Sequence, residues 1–145
     1  MSRSSSAVVV ALLVSCVVAG TWARRGLAQA AKPEHTRDSV EVVKKNLADG
    51  KAVLLDVREE SEWRAGRLEQ ARLFPLSKLR GAANPKSVTK ELDATKIIYC
   101  HCRSGGRVLA AAEILRAEGF DVRPLKQGYE DLLKSGFTKA AASAE

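Results

Sequence analysis

The chain has 145 residues, 46% of them hydrophobic, 28% charged and 5% aromatic, with a formal net charge of +7. That length builds one small core and not two, and the balance excludes collagen-like, coiled-coil and disordered classes. Three cysteines exclude a disulfide-rich scaffold, and two histidines, His35 and His101, leave no His-rich metal site.

Residues 1–30 have the order of a secretory signal peptide. Arg3 supplies the positive start, Ala7–Gly20 is an apolar run, and Ala28-Gln29-Ala30 is an A-x-A cleavage pattern before Ala31. The expected location is therefore extracytoplasmic, periplasmic or secreted, after cleavage. Two alternatives stand behind it: an uncleaved membrane anchor over residues 7–23, and lipid attachment at Cys16, whose preceding residues Leu13-Val14-Ser15 resemble a lipobox. A membrane is an expected partner only if the segment stays uncleaved. Residues 31–145 keep 21 basic and 17 acidic side chains, interspersed, so charge gives no support to nucleic-acid binding. The expected layout is a linker over 31–35, a domain over 36–138 and a flexible tail over 139–145.

The domain alternates strand and helix. Ser39–Ala48 puts Val40, Val43 and Leu47 on one helical face, with Asp38 or Ser39 as cap and Gly50 as stop. Ala52–Val57 is a continuous apolar run, the mark of a buried parallel strand. Gly66–Leu76 is a weaker extended segment, and Ser87–Leu92 at most a short helix. Ile97–Cys100 is a second buried strand. Gly106–Glu118 is a helix with Val108, Leu109, Ala112 and Leu115 inward, stopped by Gly119. Asp121–Leu125 is a strand and Tyr129–Ser135 a last helix. Such units imply an α/β fold, a parallel sheet flanked by helices on both faces, with chemistry at the carboxyl ends of its strands.

The loop after the central strand reads Cys100-His101-Cys102-Arg103-Ser104-Gly105-Gly106-Arg107 and runs into a helix. A helix start presents unpaired N–H groups and partial positive charge. Gly105 and Gly106 let the backbone curl into an anion nest, and Arg103 and Arg107 add formal charge. A cysteine at the rim of such a nest is set up as a thiolate nucleophile, which assigns the reaction to Cys102.

Two stretches resemble the single-domain rhodanese (sulfurtransferase) family. The first is YCHCRSGGRVLAAAEILRAEGFDVRPLKQGY, the second LLDVREESEWRAGRLEQA, and together they span roughly residues 36–137. The chain departs from that pattern at Gly66-Arg67, Gln127-Gly128 and Val108. The resemblance implies the rhodanese-like fold with a five-stranded parallel sheet, and a Cys102 that holds sulfane sulfur as a persulfide.

Loop length separates two chemistries. Cysteine phosphatases carry His-Cys, five residues, then Arg; here four residues lie between Cys102 and Arg107. The tighter ring suits one terminal sulfur better than a phosphoryl group. The expected activity is transfer of sulfane sulfur from a small anionic donor, thiosulfate or a persulfide, to cyanide, a thiol or a protein acceptor. The N–H groups of Arg103, Ser104, Gly105, Gly106 and Arg107 would bind the anion. No metal or organic cofactor is called for. The alternatives are a cysteine phosphatase or oxyanion reductase on the same fold, and a non-catalytic binding or sulfur-carrier module.

Asp56 and Arg58 end the first buried strand on the functional edge. Asp56 is expected to order the site by hydrogen bonding, and Arg58 to pair with Glu59, Glu60 or Glu62. Arg107 is expected to close the loop on its carbonyls or on an acid. Trp63 is expected at the rim, and Arg67 as a solvated surface cation. Cys100, on the same face as Cys102 by strand alternation, reads as a buried strand residue, with a resolving thiol as the alternative; His101 falls on the other face.

Overall fold

The computed structural model describes residues 34–141. The expected signal or anchor, Cys16, the first part of the linker and the end of the tail lie outside the described residues.

The elements run α1 (Val40–Ala48), β1 (Ala52–Asp56), α2 (Glu60–Ala65), β2 (Ala71–Leu73), α3 (Leu76–Gly81), α4 (Pro85–Thr89), β3 (Ile97–His101), α5 (Arg107–Ala117), β4 (Asp121–Pro124) and α6 (Tyr129–Lys134). The strands form one sheet in the order β2-β1-β3-β4, every pair parallel. Parallel strands buried on both faces need apolar residues at odd and even positions. β1 and the residue after it supply them: Leu55 and Val57 pack with Ile98 and Cys100 against α3 and α5, while Ala52 and Leu54 pack with Tyr99 against α1 and α6. The period of two thus sorts β3 as expected. Cys100 and Cys102 join one core, and His101 lies on the other side, stacked 6.5 Å from Tyr129.

The sheet has four strands among the described residues, where five were expected. The flanking segments that could add another make too few bonds. Residues 34–36 contribute one backbone bond to β4, from Thr36 N to Pro124 O at 2.8 Å. Leu68 and Lys139 meet only in an isolated antiparallel bridge. That bridge, with Ala140 N bonded to Arg67 O at 2.9 Å, also ties down the start of the expected tail at Lys139.

Local chemistry sets the helix limits. Ser39 caps α1, and its side chain accepts from Val42 N. Asn84 caps α4 with Pro85 in its first turn, so α4 starts before the expected Ser87. α5 is built from strong helix formers and ends at Gly119, which takes φ +92°. Its buried face is Val108, Ala111, Ala112 and Leu115; Leu109 is half-buried. α2 and α3 were not expected. Each spans six residues; α2 buries none of its side chains and α3 only Leu76 and Leu79. The expected extended segment shrinks accordingly to Ala71–Leu73.

A polar network docks the first residues on the sheet. Asp38 accepts from Tyr99 Oη at 2.6 Å and from Arg123 Nη1 at 2.9 Å, and Asn46 donates to Tyr99 Oη at 2.9 Å. These bonds hold the Asp38 carboxyl below its ordinary range, Tyr99 first and Arg123 second, while burial raises the Tyr99 phenol. No described helix is long and apolar enough to cross a membrane.

Candidate active site

Cys102 follows the last residue of β3, and the loop 102–106 leads straight into α5. Its side chain is 1% exposed, yet it is directed at the loop: Gly105 N donates to Sγ at 3.2 Å. The amides of Arg103, Ser104, Gly106 and Arg107 have no backbone partner among the described residues. The loop is therefore a turn of N–H donors, one on the sulfur and the rest available.

Two glycines make that turn possible, and only one of them is in the expected pair. Gly105 takes φ +82°, and a Cβ there would lie 2.6 Å from Lys126 O. Gly106 instead sits in the right-handed helical region with open space around it, so its backbone would accept a side chain. The second required glycine is Gly128. A Cβ at that position would fall 2.0 Å from Arg103 O, a distance no packing tolerates. Tyr129 N, next in sequence, donates to Cys102 O at 2.9 Å. The turn before α6 thus presses backbone to backbone against the cysteine loop and fixes its height over the sheet.

Two ion pairs frame the loop. Asp56, fully buried, accepts from Arg58 N, Nε and Nη2 at 2.6–3.0 Å. Arg58 Nη2 also donates to Gly66 O at 2.8 Å, and the guanidinium lies 4.1 Å over the Tyr129 ring. This corrects the expectation for Arg58: its carboxylate partner is Asp56, two residues back on the same face, and not Glu59, Glu60 or Glu62. Asp56 orders the site through these bonds. Glu62 belongs to Arg107, which donates from Nη1 at 2.6 Å and Nη2 at 2.8 Å, a bidentate pair joining α2 to the start of α5. That contact, above all, holds the Glu62 carboxyl down at about 2. Arg107 so closes the loop on an acid, which occupies the guanidinium expected to help bind an anion.

Arg103 remains. It is exposed, and no described residue engages its guanidinium. It opens on a cleft of about 420 Å³ shared with Arg58, Glu62, Gly66, Tyr129 and Lys139. The Tyr129 hydroxyl there is buried without a hydrogen-bond partner among the described residues. Cys102 does not line this cleft, although its neighbour Arg103 does. A second cleft, about 460 Å³, occupies the amino-terminal end of the strands near Ala52, Lys96 and Phe137 and holds none of the candidate residues.

Cys100 is fully buried beneath the loop, and burial pushes its thiol up to about 12. His101 is equally buried, 3.7 Å from Asp56; burial lowers it to about 4 against the pull of that carboxylate, so the ring is neutral. Ser104 stands exposed. Arg67 is half-buried over the Trp63 ring at 5.5 Å, where a solvated cation was expected.

Sequence reasoning missed Glu62, Gly128, Tyr129 and His35 as parts of this site. Glu62 was expected only as a partner of Arg58, and Gly128 lay inside a motif without an assigned contact. Tyr129 was read only as the start of a helix, and His35 as linker, yet its Nε2 lies 2.8 Å from Gly105 O.

Comparison with known proteins adds an independent line. A family model described as rhodanese-like domain matches residues 39–135. The uncharacterized protein YqhL of Bacillus subtilis (strain 168) is 36% identical over 81 residues, which are 55% of this chain and 60% of that protein. The chain therefore spans less than two thirds of that relative's length. Among solved structures, the human single-domain sulfurtransferase TSTD1 is 25% identical with TM-score 0.58, covering 67% of this chain and 94% of its own. A rhodanese-related protein from Thermoplasma volcanium is 25% identical with TM-score 0.57, covering 70% and 93%.

Proposed function

The chain belongs to the rhodanese-like domain family, and from that premise we propose that it is a sulfurtransferase carrying sulfane sulfur on Cys102. The observation that carries this reading is the Gly105 N–H on Cys102 Sγ at 3.2 Å, within a loop whose neighbouring amides have no backbone partner among the described residues. The likeness to a solved single-domain sulfurtransferase supports it.

The reaction has two displacements. The Cys102 thiolate attacks the outer sulfur of thiosulfate; a sulfur–sulfur bond forms at Cys102, the sulfur–sulfur bond of thiosulfate breaks, and sulfite departs with the electron pair. Cyanide or a thiolate then attacks the outer sulfur of Cys102–S–S⁻, takes it, and restores the Cys102 thiolate. The new bond is about 2 Å long, which carries the outer sulfur beyond the buried Sγ and in among the free amides. Donors already in place stabilise charge there without rearrangement. Arg103, the cleft cation that no described residue engages, attracts the anionic donor; Arg107 and Arg58 hold the frame. Four residues between Cys102 and Arg107 give a ring too tight for a phosphoryl group. We place the activity outside the cytoplasm, on the reading of residues 1–30, for which the mass of the mature chain is the check.

The test is the intact mass of the protein after thiosulfate. We expect a gain of one sulfur atom, removed by cyanide with release of thiocyanate, and no gain in Cys102→Ser. An unchanged mass in the native chain would overturn the assignment, as would hydrolysis of an aryl phosphate in its place.

A further inference from the structure

His35 stands apart from the machinery described so far. It lies five residues before α1, in a stretch with no secondary structure, yet it reaches the cysteine loop across 70 positions of sequence. The stretch is anchored next to it. Thr36 N bonds to Pro124 O at 2.8 Å, and Asp38 is held by Tyr99 and Arg123. The imidazole is thus delivered to Gly105 from a fixed base. Its Nε2 lies 2.8 Å from the Gly105 carbonyl oxygen. That oxygen can only accept, so Nε2 carries the hydrogen.

The two ends of Gly105 are then both engaged. Its N–H goes to Cys102 Sγ and its C=O goes to His35. The Gly105–Gly106 peptide is trans, as all peptide bonds of the described residues are. In a trans peptide the N–H points opposite to the C=O. With the carbonyl held toward His35, the Gly106 N–H is turned away from His35 and back over the loop. That amide has no backbone partner among the described residues. A hydrogen bond at the carbonyl also polarises the same peptide and makes its N–H a better donor.

We propose that His35 is a positioning residue of the cysteine loop: by holding the Gly105 carbonyl it aims the Gly106 amide at the outer sulfur carried on Cys102. The inference rests on the sulfur-transfer reading for its chemical purpose. Its geometric content, the orientation of one peptide plane, stands separately. Glycine at position 105 makes that plane easy to turn, which is why it needs a holder.

The test compares His35→Phe, which keeps the ring and loses the donor, with His35→Gln, whose amide nitrogen sits the same number of bonds from the backbone. Both are made in the full chain. Two readouts are taken. The first is steady-state transfer from thiosulfate to cyanide. Because the Gly106 amide meets the sulfur only once it is moving to Cys102, the loss belongs in kcat and not in KM. We expect kcat to fall about tenfold in His35→Phe and to stay within about twofold in His35→Gln, well short of the loss from deleting a direct anion donor. The second is the amide proton resonance of Gly106, which reports the hydrogen bond on its own peptide whether or not sulfur is transferred. It moves upfield in His35→Phe and holds its place in His35→Gln. An unmoved Gly106 resonance in His35→Phe overturns the proposal, as does a His35→Gln that matches His35→Phe. If the native chain takes up no sulfur while the resonance still moves as described, the activity assignment falls and the positioning role survives.

Discussion

Cys100 and Cys102 lie two residues apart on one face of the sheet, and their surroundings differ in kind. Cys100 ends inside β3, walled by apolar side chains, and its thiol is raised to about 12. Cys102 stands one step past the strand, where the ladder has stopped and the backbone is free to aim a donor at the sulfur. Burial is nearly the same for both, 0% and 1% exposed. What separates the packing cysteine from the proposed nucleophile is the polarity of a single backbone turn.

The strongest way to break this contrast is to remove each thiol in turn. Cys102→Ser should lower sulfur transfer by about 10³-fold or more with little change in unfolding midpoint. Cys100→Ala should leave transfer within about twofold and cost about 1 kcal/mol of stability in denaturant titration. Equal losses from the two would erase the distinction.

Gly128→Ala comes next. Its methyl would lie 2.0 Å from Arg103 O, backbone against backbone, so the cysteine loop must shift. We expect about 3 kcal/mol of destabilisation together with loss of transfer. Gly105→Ala should behave likewise, because φ +82° and the Lys126 carbonyl both oppose it.

Acid sharpens the contrast between the two charged frames. The folded chain keeps His101 neutral down to about 4, whereas the unfolded chain protonates near 6.5. The unfolded state therefore binds more protons between those values, and stability falls as pH drops through that window, by up to about 3 kcal/mol. His101→Phe should flatten that part of a pH series of denaturant titrations. Glu62, held near 2 by Arg107, adds stability that is complete above 4.5 and is lost as pH falls from 4.5 toward 2; Glu62→Gln should remove that lower step.

The smallest effect is expected at Gly106→Ala. With helical backbone angles and open space, it should leave stability unchanged or raise it by about 0.4–1 kcal/mol. The difference between neighbouring glycines would show as opposite signs in the same melting experiment.

Much of this was legible in the residues, for reasons that also mark where legibility stops. β1, β3 and α5 announce themselves because a strand buried on both faces leaves a continuous apolar run and a helix with one buried face leaves a periodic one. α2 leaves none: its six residues bury no side chain, so it reads as a polar turn. That omission carried a second one. Without α2, Glu62 cannot be aimed, and the acids after Arg58 look like its partners merely through closeness in sequence. Glu62 in fact reaches Arg107, 45 positions on, and the true partner of Arg58 is Asp56 on the same strand face. The glycine loop was visible as a nest, but which glycine needs its freedom depends on what lies opposite. For Gly105 and Gly128 those neighbours, Lys126 and Arg103, belong to other parts of the chain.

Both ends of the described residues flank the cysteine loop: His35 touches Gly105, and Lys139 shares the cleft with Arg103. A segment tethered at His35 or at Lys139 starts beside the loop that carries Cys102. A short flexible tether keeps its cargo at about millimolar effective concentration. If the proposed sulfur transfer holds, a sulfur-accepting module tethered close to His35 or Lys139 would be served ahead of the same module added free in solution.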